Sequence, residues 1–172
     1  MKLSIIIPVY NEEFTLSKLL KRIRAIKIKK EIIIVNDGST DKTNYILKKL
    51  SKKYYSKIIH HKKNFGKGAA IITASKYISG DAIIIQDADL EYNPKEYYKL
   101  TKPIIDGDAD VVYGSRFIGG DERRILFFWH TVANKLLTLL SNMFTNLNLT
   151  DMETCYKVFK KEIIKKVELR EK

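Results

Sequence analysis

Cysteine is nearly absent from this chain of 172 residues, and the one that is present is Cys155. A single cysteine excludes an internal disulfide and a metal cluster built from several thiolates. Because disulfides are typical of oxidising compartments, this composition suits a reducing cytosol, and we expect a cytoplasmic protein. Cys155 itself is interpreted as a small apolar side chain that fills space in the core.

Long hydrophobic runs are also missing. No apolar stretch approaches the roughly 18 residues that a membrane span requires. The chain starts with MKLS and passes directly into IIIPVY, which is too short for the apolar core of a secretory signal. We therefore expect these first residues to form a β-strand.

Two common nucleotide-binding motifs are absent from their usual places. The glycine fingerprint of dinucleotide-binding proteins belongs directly after the first strand, where this chain has PVYNEE, and the lysine motif of a P-loop does not occur. GKGAAI, which contains Gly66 and Gly68, resembles the fingerprint only loosely and is interpreted as the start of a helix, from which Lys67 could reach a phosphate. No patch of interleaved aromatic and basic residues favours nucleic-acid binding.

The charge is strongly one-sided. Lysine and arginine outnumber aspartate and glutamate by 32 to 20, which gives a net charge of +12. Such an excess favours anionic partners, namely phosphorylated small molecules, anionic membrane surfaces or nucleic acid. Much of it lies in lysine runs of the kind found on solvated helix faces, so charge alone does not choose among these partners.

Short β-branched runs alternate with helical patterns along the first two thirds of the chain. The runs are LSIIIPV, EIIIVN, KIIHH, DAIIIQD and ADVVYG. This alternation predicts an α/β domain with a mostly parallel sheet that is buried on both faces. Two sets of apolar residues have helical spacing between the first three runs, Leu16, Leu19, Leu20, Ile23 and Ile26 in the first gap and Leu47, Leu50 and Tyr54 in the second. Asp41 or Ser39 could cap the second helix.

Three acidic residues follow the fourth predicted strand at intervals of two. In extended backbone, Asp87, Asp89 and Glu91 would project to the same side. Mg²⁺ and Mn²⁺ prefer oxygen ligands and are commonly held by one or two carboxylates together with the phosphates of a substrate. The pattern therefore predicts a metal that bridges to a diphosphate, although a solvated acidic loop that caps the next helix explains the same spacing.

Polar residues also follow the first and second strands. Pro8, Tyr10, Asn11 and Glu12 come after the first strand, and the segment 36–39 comes after the second. In open α/β sheets, ligands bind outside the carboxyl ends of the strands where the strand order reverses, commonly between the first strand and the fourth. Tyr10 could there stack on a base and Asp37 could accept hydrogen bonds from a base or ribose. Taken singly, Tyr10 could be a core aromatic, Glu12 a helix N-terminal acid and Asp37 part of an ordinary turn.

A different pattern begins after about residue 120. The segment WHTVANKLLTLLSNMF, residues 129–144, places a wide apolar face opposite a polar one. One interpretation is a helix whose apolar face packs on the sheet. The other is a helix that lies in a membrane interface, preceded by ILFF and by Arg123 and Arg124, so that residues 123–145 form an interfacial element.

Five ordered motifs carry a family resemblance. They are SIIIPVYNEE, EIIIVNDGSTD, NFGKGAA, GDAIIIQDADLEYNP and DVVYGSRF, and together they resemble family-2 glycosyltransferases with the Rossmann-like GT-A fold. Within that family they are most similar to the polyprenyl-phosphate branch, which includes dolichyl-phosphate mannose and glucose synthases. The resemblance extends from Lys2 to about Phe159 and implies one catalytic domain over residues 1–172. The chain stops in the charged stretch VELREK, where members of this branch usually continue. This comparison favours a sequence that is truncated at its C-terminus.

The resemblance also implies site residues. The nucleotide-sugar site would consist of Pro8, Tyr10, Glu12, Asp37, Asp87, Ala88, Asp89, Glu91, Arg116 and Lys157. Asp87 and Asp89 match the family's metal motif, and Glu91, a possible third metal ligand, stands where many members have glutamine. Asp89 and Arg116 would be catalytic, with Arg116 near the sugar phosphate or the acceptor phosphate. Lys157 stands where a basic residue is thought to help bind phosphate.

The reaction implied is a Mg²⁺- or Mn²⁺-dependent, inverting transfer of mannose or glucose from GDP-mannose or UDP-glucose to a polyprenyl phosphate. A lipid phosphate is already anionic near neutral pH, so the absence of a histidine base is expected. The enzyme would contact the cytoplasmic face of the membrane peripherally. Two alternatives stay open: transfer to a glycan or other soluble acceptor, with Asp151 or Glu153 as the base, and a nucleotide-sugar-binding module without catalysis.

Overall fold

A computed structural model describes residues 1–50, 52–117 and 127–166 of the chain. The strands are β1 Leu3–Val9, β2 Lys30–Asn36, β3 Lys57–His60, β4 Ala82–Ile85, β5 Val111–Tyr113 and β6 Lys157–Lys160. The α-helices are α1 Leu16–Ala25, α2 Thr43–Lys49, α3 Lys67–Ser75, α4 Tyr97–Asp106, α5 Phe128–Thr145 and α6 Lys161–Lys166. Two short 3₁₀ helices cover Lys52–Tyr54 and Pro94–Glu96.

The strands form one sheet in the order β3-β2-β1-β4-β6-β5. β1 runs parallel to both β2 and β4, and β2 runs parallel to β3, whereas β6 is antiparallel to its neighbours β4 and β5. This mixed but mostly parallel sheet, flanked by helices, confirms the predicted α/β class. The strand order reverses between β1 and β4, which places a ligand crevice where the sequence predicts one.

The consecutive isoleucines of the central strands are buried on both faces of the sheet. In β1, Ile5 and Ile7 pack with α1 and α4 on one face, while Ile6 packs with α3 on the other. Alternating side chains point to opposite faces, so a strand covered on both sides needs an unbroken apolar run. The core therefore fixes the register of the strands and, with it, the loops at their carboxyl ends.

The second predicted helix is shorter than its apolar spacing suggests. It ends at Lys49, and Leu50 already has extended backbone. Tyr54 lies in the separate 3₁₀ helix. At the start of α2, the Asp41 carboxylate accepts a hydrogen bond from the Thr43 N–H at 2.9 Å. Ser39 instead accepts one from the Asn11 N–H at 3.0 Å. Of the two candidates, Asp41 is therefore the one that hydrogen-bonds the first turn of α2.

The interpretation that α5 packs its apolar face on the sheet is wrong. Trp129 and Phe144 are 75% and 87% exposed, and most of the apolar residues between them are exposed as well. The side chains that α5 buries are polar, namely Asn134 and Thr138. Residues 123–126 of the predicted interfacial element lie outside the described residues. Among the helices described here, α5 included, none combines the length and apolar character needed to cross a bilayer.

Candidate functional site

A cleft of about 380 Å³ opens at the carboxyl ends of β1, β2 and β4. It is lined by Pro8, Val9, Tyr10, Glu12, Asp37, Asn64, Lys67, Asp87, Ala88 and Asp89. Seven of the ten predicted nucleotide-sugar residues are therefore brought together. Glu91, Arg116 and Lys157 are not among the lining residues, and Val9 and Asn64 line the cleft although the sequence did not single them out.

The loop after β1 is held in place by the loop after β2. Asn11 has the left-handed backbone angle φ 56°, and its Oδ1 accepts a hydrogen bond from the Thr40 N–H at 2.8 Å. The Glu12 N–H donates to the Thr43 hydroxyl at 2.8 Å. These contacts give Asn11 a structural role and leave Tyr10, which is 45% exposed, at the rim of the cleft.

Asp37 is buried at the floor of the cleft and organises the loop that precedes α3. Its carboxylate accepts hydrogen bonds from the backbone N–H groups of Phe65 and Gly66 and lies 2.6 Å from Nδ1 of His61. A Cβ atom at the neighbouring Gly38 would come within 2.4 Å of the Lys63 backbone, so the two loops meet closely. Most of the acceptor capacity of Asp37 is thus used within the protein. His61 is a supporting residue that sequence reasoning missed.

Lys67, the first residue of α3, reaches into the acidic part of the cleft. Its Nζ lies 2.5 Å from Oδ1 of Asp87, and it donates to the Cys155 sulfur at 3.7 Å. Burial raises the pKa of the Cys155 thiol to about 12, so this group is a neutral thiol at physiological pH, as expected of a buried filler. An ammonium group therefore balances the charge of Asp87 where the sequence predicts a metal.

The carboxylates of the cleft crowd one another. Burial, together with the charges of Glu91 and Asp87, raises the pKa of Asp89. Burial also raises the pKa of Glu12, to which the charges of Asp89, Asp41 and Asp87 add. Such repulsion is what a bound cation relieves, and hard oxygen ligands suit Mg²⁺ or Mn²⁺, so the donor set fits a divalent metal.

The structure does not assemble the three-carboxylate metal group in full. Within the described ranges, no three His, Cys, Asp or Glu side chains lie together in an arrangement that could hold a metal ion. The Glu91 N–H donates to the Asp89 carboxylate at 2.9 Å, which helps to fix the acidic loop. A ligand role for Glu91 stays a prediction.

Gln86, directly before the acidic pair, fixes the acidic loop from inside the protein. It is fully buried, and its Oε1 accepts hydrogen bonds from the hydroxyls of Tyr97 and Tyr156, both at 2.8 Å. Its Nε2 donates to the Asp87 carbonyl oxygen at 2.9 Å. Gln86 thereby joins the acidic loop to α4 and to the segment before β6. No local sequence pattern predicts this role, because Tyr156 is 70 residues away along the chain.

Arg116 is held by a buried acid. Its Nε and Nη2 each donate to a different oxygen of Asp151 at 2.8 Å, and its backbone N–H donates to the same carboxylate at 2.9 Å. Burial alone would raise the pKa of Asp151, but the hydrogen bonds from Arg116 lower it. Asp151 is therefore engaged in an ion pair, which argues against the role of general base that the sequence left open for it. Glu153 is exposed.

Lys157 lies in the same charged neighbourhood as Lys67. Burial lowers the pKa of Lys157, the charge of Lys67 lowers it further, and the charges of Glu153 and Asp151 oppose this. Binding of an anion near both ammonium groups would reduce this repulsion. Positive charge thus continues from the cleft toward β6.

Known proteins resemble this chain in sequence and in fold. The sequence model of "Glycosyl transferase family 2" matches residues 4–168. The chain is 33% identical to a dolichol-phosphate mannosyltransferase of Pyrococcus furiosus over 98% of its own length and 49% of that protein's length. It is 32% identical to an undecaprenyl-phosphate 4-deoxy-4-formamido-L-arabinose transferase of Edwardsiella ictaluri over 94% of the chain and 50% of the relative. The chain thus spans about half the length of these curated relatives.

A solved structure shares the fold. Glucosyl-3-phosphoglycerate synthase from Mycobacterium tuberculosis, in complex with Mn²⁺, UDP and phosphoglyceric acid, superposes with a TM-score of 0.72 at 20% identity, covering 94% of this chain and 56% of that one. At this identity the likeness supports the GT-A fold that the motifs predicted. Since the family model covers nearly the whole sequence and the relatives match almost all of it, the chain belongs to glycosyl transferase family 2.

Proposed function

We propose that this domain transfers a hexose, mannose or glucose, from a nucleoside-diphosphate sugar to a polyprenyl phosphate in a metal-dependent, inverting reaction. The observation that carries the proposal is the cleft between β1 and β4, where the pair Asp87 and Asp89 meets the cation Lys67. The relatives described above support the choice of acceptor, because their names specify transfer to dolichol phosphate and undecaprenyl phosphate.

The donor would lie across the carboxyl ends of the central strands. Tyr10, at the rim, is free on one side to stack on a base, while Pro8 and Val9 form an apolar wall. Asp37 shapes the floor through its hydrogen bonds with Phe65, Gly66 and His61. Ala88 is buried between the two acids, and its small side chain leaves room for the sugar diphosphate.

Asp87 and Asp89 are the residues that would hold the divalent cation. When bound there, the cation would add positive charge beside the departing nucleoside diphosphate. Mn²⁺ accompanies UDP in the structural neighbour from Mycobacterium tuberculosis, which is consistent with this assignment. Lys67 is placed to exchange its contact with Asp87 for a phosphate of the donor.

The acceptor phosphate would lie beside Arg116 and Lys157. One of its anionic oxygens attacks the anomeric carbon, a new C–O bond forms, and the bond to the donor phosphate breaks with its electron pair leaving on the nucleoside diphosphate. No proton has to be removed from the nucleophile, so the reaction needs no general base. Asp151 can therefore stay in its ion pair with Arg116. The chain's contribution is positioning and electrostatic stabilisation of the leaving group.

The outward apolar face of α5 supports a peripheral contact with the cytoplasmic face of the membrane. Trp129 and Phe144 stand at its two ends, and the net charge of +12 favours anionic lipid. A polyprenyl acceptor resides in such a surface, so the contact would bring the cleft to its substrate.

Calorimetric titration with GDP-mannose, UDP-glucose and UDP-N-acetylglucosamine, each with and without Mn²⁺, tests the donor site. We expect metal-dependent binding of one donor, weakened by at least about tenfold in Asp89→Asn because a metal ligand is lost. Incubation of that donor with a polyprenyl phosphate and, separately, with soluble sugar acceptors then tests the transfer. Transfer only to soluble acceptors, abolished by Glu153→Gln, would favour the alternative reaction, and binding without any transfer would favour a non-catalytic module.

A further inference from the structure

Helix α5 buries its polar face and exposes its apolar face, which is the reverse of a core helix. Asn134 and Thr138 are 9% and 5% exposed, and the half-buried Asn142 continues this polar row one turn later. Residues four apart lie on one face of a helix, so these three side chains form a single stripe. We call this stripe the polar ladder.

The polar ladder contacts the loop 149–152. Asn142 donates to the Leu149 carbonyl oxygen at 2.8 Å and accepts from the Leu149 N–H at 2.9 Å. Thr138 accepts from the Met152 N–H at 3.1 Å. Thr138 and Asn142 thus satisfy backbone groups of the loop that carries Asp151.

The loop residue that Thr138 binds, Met152, directly follows Asp151, the acid that holds Arg116. Asn134 accepts a hydrogen bond from the Thr138 hydroxyl at 3.3 Å, and its side chain helps to lower the pKa of Asp151. Asp151, in turn, accepts three hydrogen bonds from Arg116. The loop 149–152 therefore connects α5 to Arg116, through the Met152 N–H at Thr138 and the adjacent carboxylate of Asp151. No side chain of the ladder is needed to touch the substrate.

We propose that Asn134, Thr138 and Asn142 are positioning residues for Arg116, which they orient through the loop 149–152 and Asp151. This inference rests on the proposed function, in which Arg116 binds the acceptor phosphate. It explains why α5 turns its polar face inward and its apolar face outward: the polar face orders the acceptor side of the site, and the apolar face is left for the lipid surface.

The matched pair Thr138→Val and Thr138→Ser tests the ladder. Valine keeps the shape of threonine but cannot accept from the Met152 N–H, whereas serine retains the hydroxyl. The first readout is hydrogen exchange of the Arg116 amide, which donates to Asp151 rather than to Thr138. We expect exchange about tenfold faster in Thr138→Val, the factor one buried hydrogen bond is worth, and near wild type in Thr138→Ser.

The second readout is kinetic. In Thr138→Val, kcat/KM for the polyprenyl phosphate should fall by about tenfold while donor affinity is unchanged, and Thr138→Ser should restore it. Asn142→Ala, at a half-exposed position where folding is less at risk, should shift both readouts in the same direction. Unfolding midpoints of all variants identify any loss of the fold.

The proposal is overturned if Arg116 exchange is the same in Thr138→Val and Thr138→Ser. It is also overturned if donor affinity falls together with acceptor kinetics, since that pattern indicates general loosening. If the wild-type chain transfers no sugar to polyprenyl phosphate, the proposed function fails. The exchange measurement on Arg116 still decides the ladder, so the two failures are distinguishable.

Discussion

At the scale of single residues, Lys67 has the most consequential placement. Its ammonium group lies 2.5 Å from the Asp87 carboxylate, at the position where a divalent cation would bind. A divalent cation held by Asp87 would compete with this ammonium group for the carboxylate. Lys67, at the start of α3, would therefore affect binding of a metal as well as of phosphates.

Replacing Lys67 with methionine should strengthen metal binding in the absence of nucleotide. Because an ion pair that is half exposed to solvent contributes little, we expect Mn²⁺ affinity to rise by no more than about fivefold. Affinity for UDP or GDP should instead fall by at least about tenfold, since a charge-assisted hydrogen bond to phosphate is lost. Calorimetry with Mn²⁺ alone and with nucleotide alone measures both.

Lys62→Met is the matched control for Lys67→Met, because it removes the same charge from an exposed position in the same segment. It should leave both affinities close to wild type. If Lys67→Met binds Mn²⁺ no more tightly than Lys62→Met does, Lys67 is not a competitor for the metal site.

At the scale of elements, the junction between β4 and the acidic loop depends on Gln86. This side chain bonds two tyrosine hydroxyls and the Asp87 carbonyl oxygen, all inside the core. Three segments that are distant in sequence therefore share one buried amide. Loss of that amide would leave two buried hydroxyls without their acceptor, which is costly.

Gln86→Met should lower both stability and metal-dependent donor binding. We expect the free energy of unfolding to fall by about 2 kcal/mol, from the unpaired hydroxyls, and donor affinity to weaken because Asp87 loses its anchor. Tyr97→Phe is the comparison variant, because it removes one hydroxyl but keeps the contact between Gln86 and Asp87. It should cost about 1 kcal/mol with donor affinity unchanged. Urea unfolding and calorimetry measure these effects, and equal donor affinity in the two variants would contradict the anchoring role.

Sequence reasoning located the cleft because its residues follow strands, and strand ends can be identified from apolar runs. Pro8, Tyr10, Asp37 and Asp89 were found in this way. Gln86 and His61 were not, because their partners lie on other segments and no periodic pattern reports such contacts.

The sequence left the orientation of α5 open for a different physical reason. Periodicity identifies an apolar face and a polar face, but it does not say which of them faces the protein. Burial of an apolar stripe is the usual outcome, and here the polar ladder satisfies the loop 149–152 instead. Only the structure, which places the loop 149–152 against the polar face of the helix, supplies that information.

At the scale of the whole molecule, the exposed apolar face of α5 and the large positive charge both favour binding to an anionic lipid bilayer. Apolar side chains insert into the interfacial region of a bilayer, and lysines near the surface are attracted to anionic lipid, each contributing roughly 1 kcal/mol. Trp129 is the only tryptophan of the chain and is 75% exposed at the start of α5. Its fluorescence therefore reports directly on contact between this helix and lipid.

Addition of anionic vesicles at low salt should shift the Trp129 emission to shorter wavelength, because the indole leaves water for the interface. The protein should also float with the vesicles.

The double variant Leu140→Ser/Phe144→Ser removes apolar surface from α5 and should reduce both signals. The control variant Phe14→Ser, at an 89% exposed position outside α5, should not reduce them. Raising the salt concentration should weaken binding without abolishing the contribution of the apolar face, since salt screens only the charge term. If a folded sample neither floats nor changes its emission at low salt, α5 does not bind lipid.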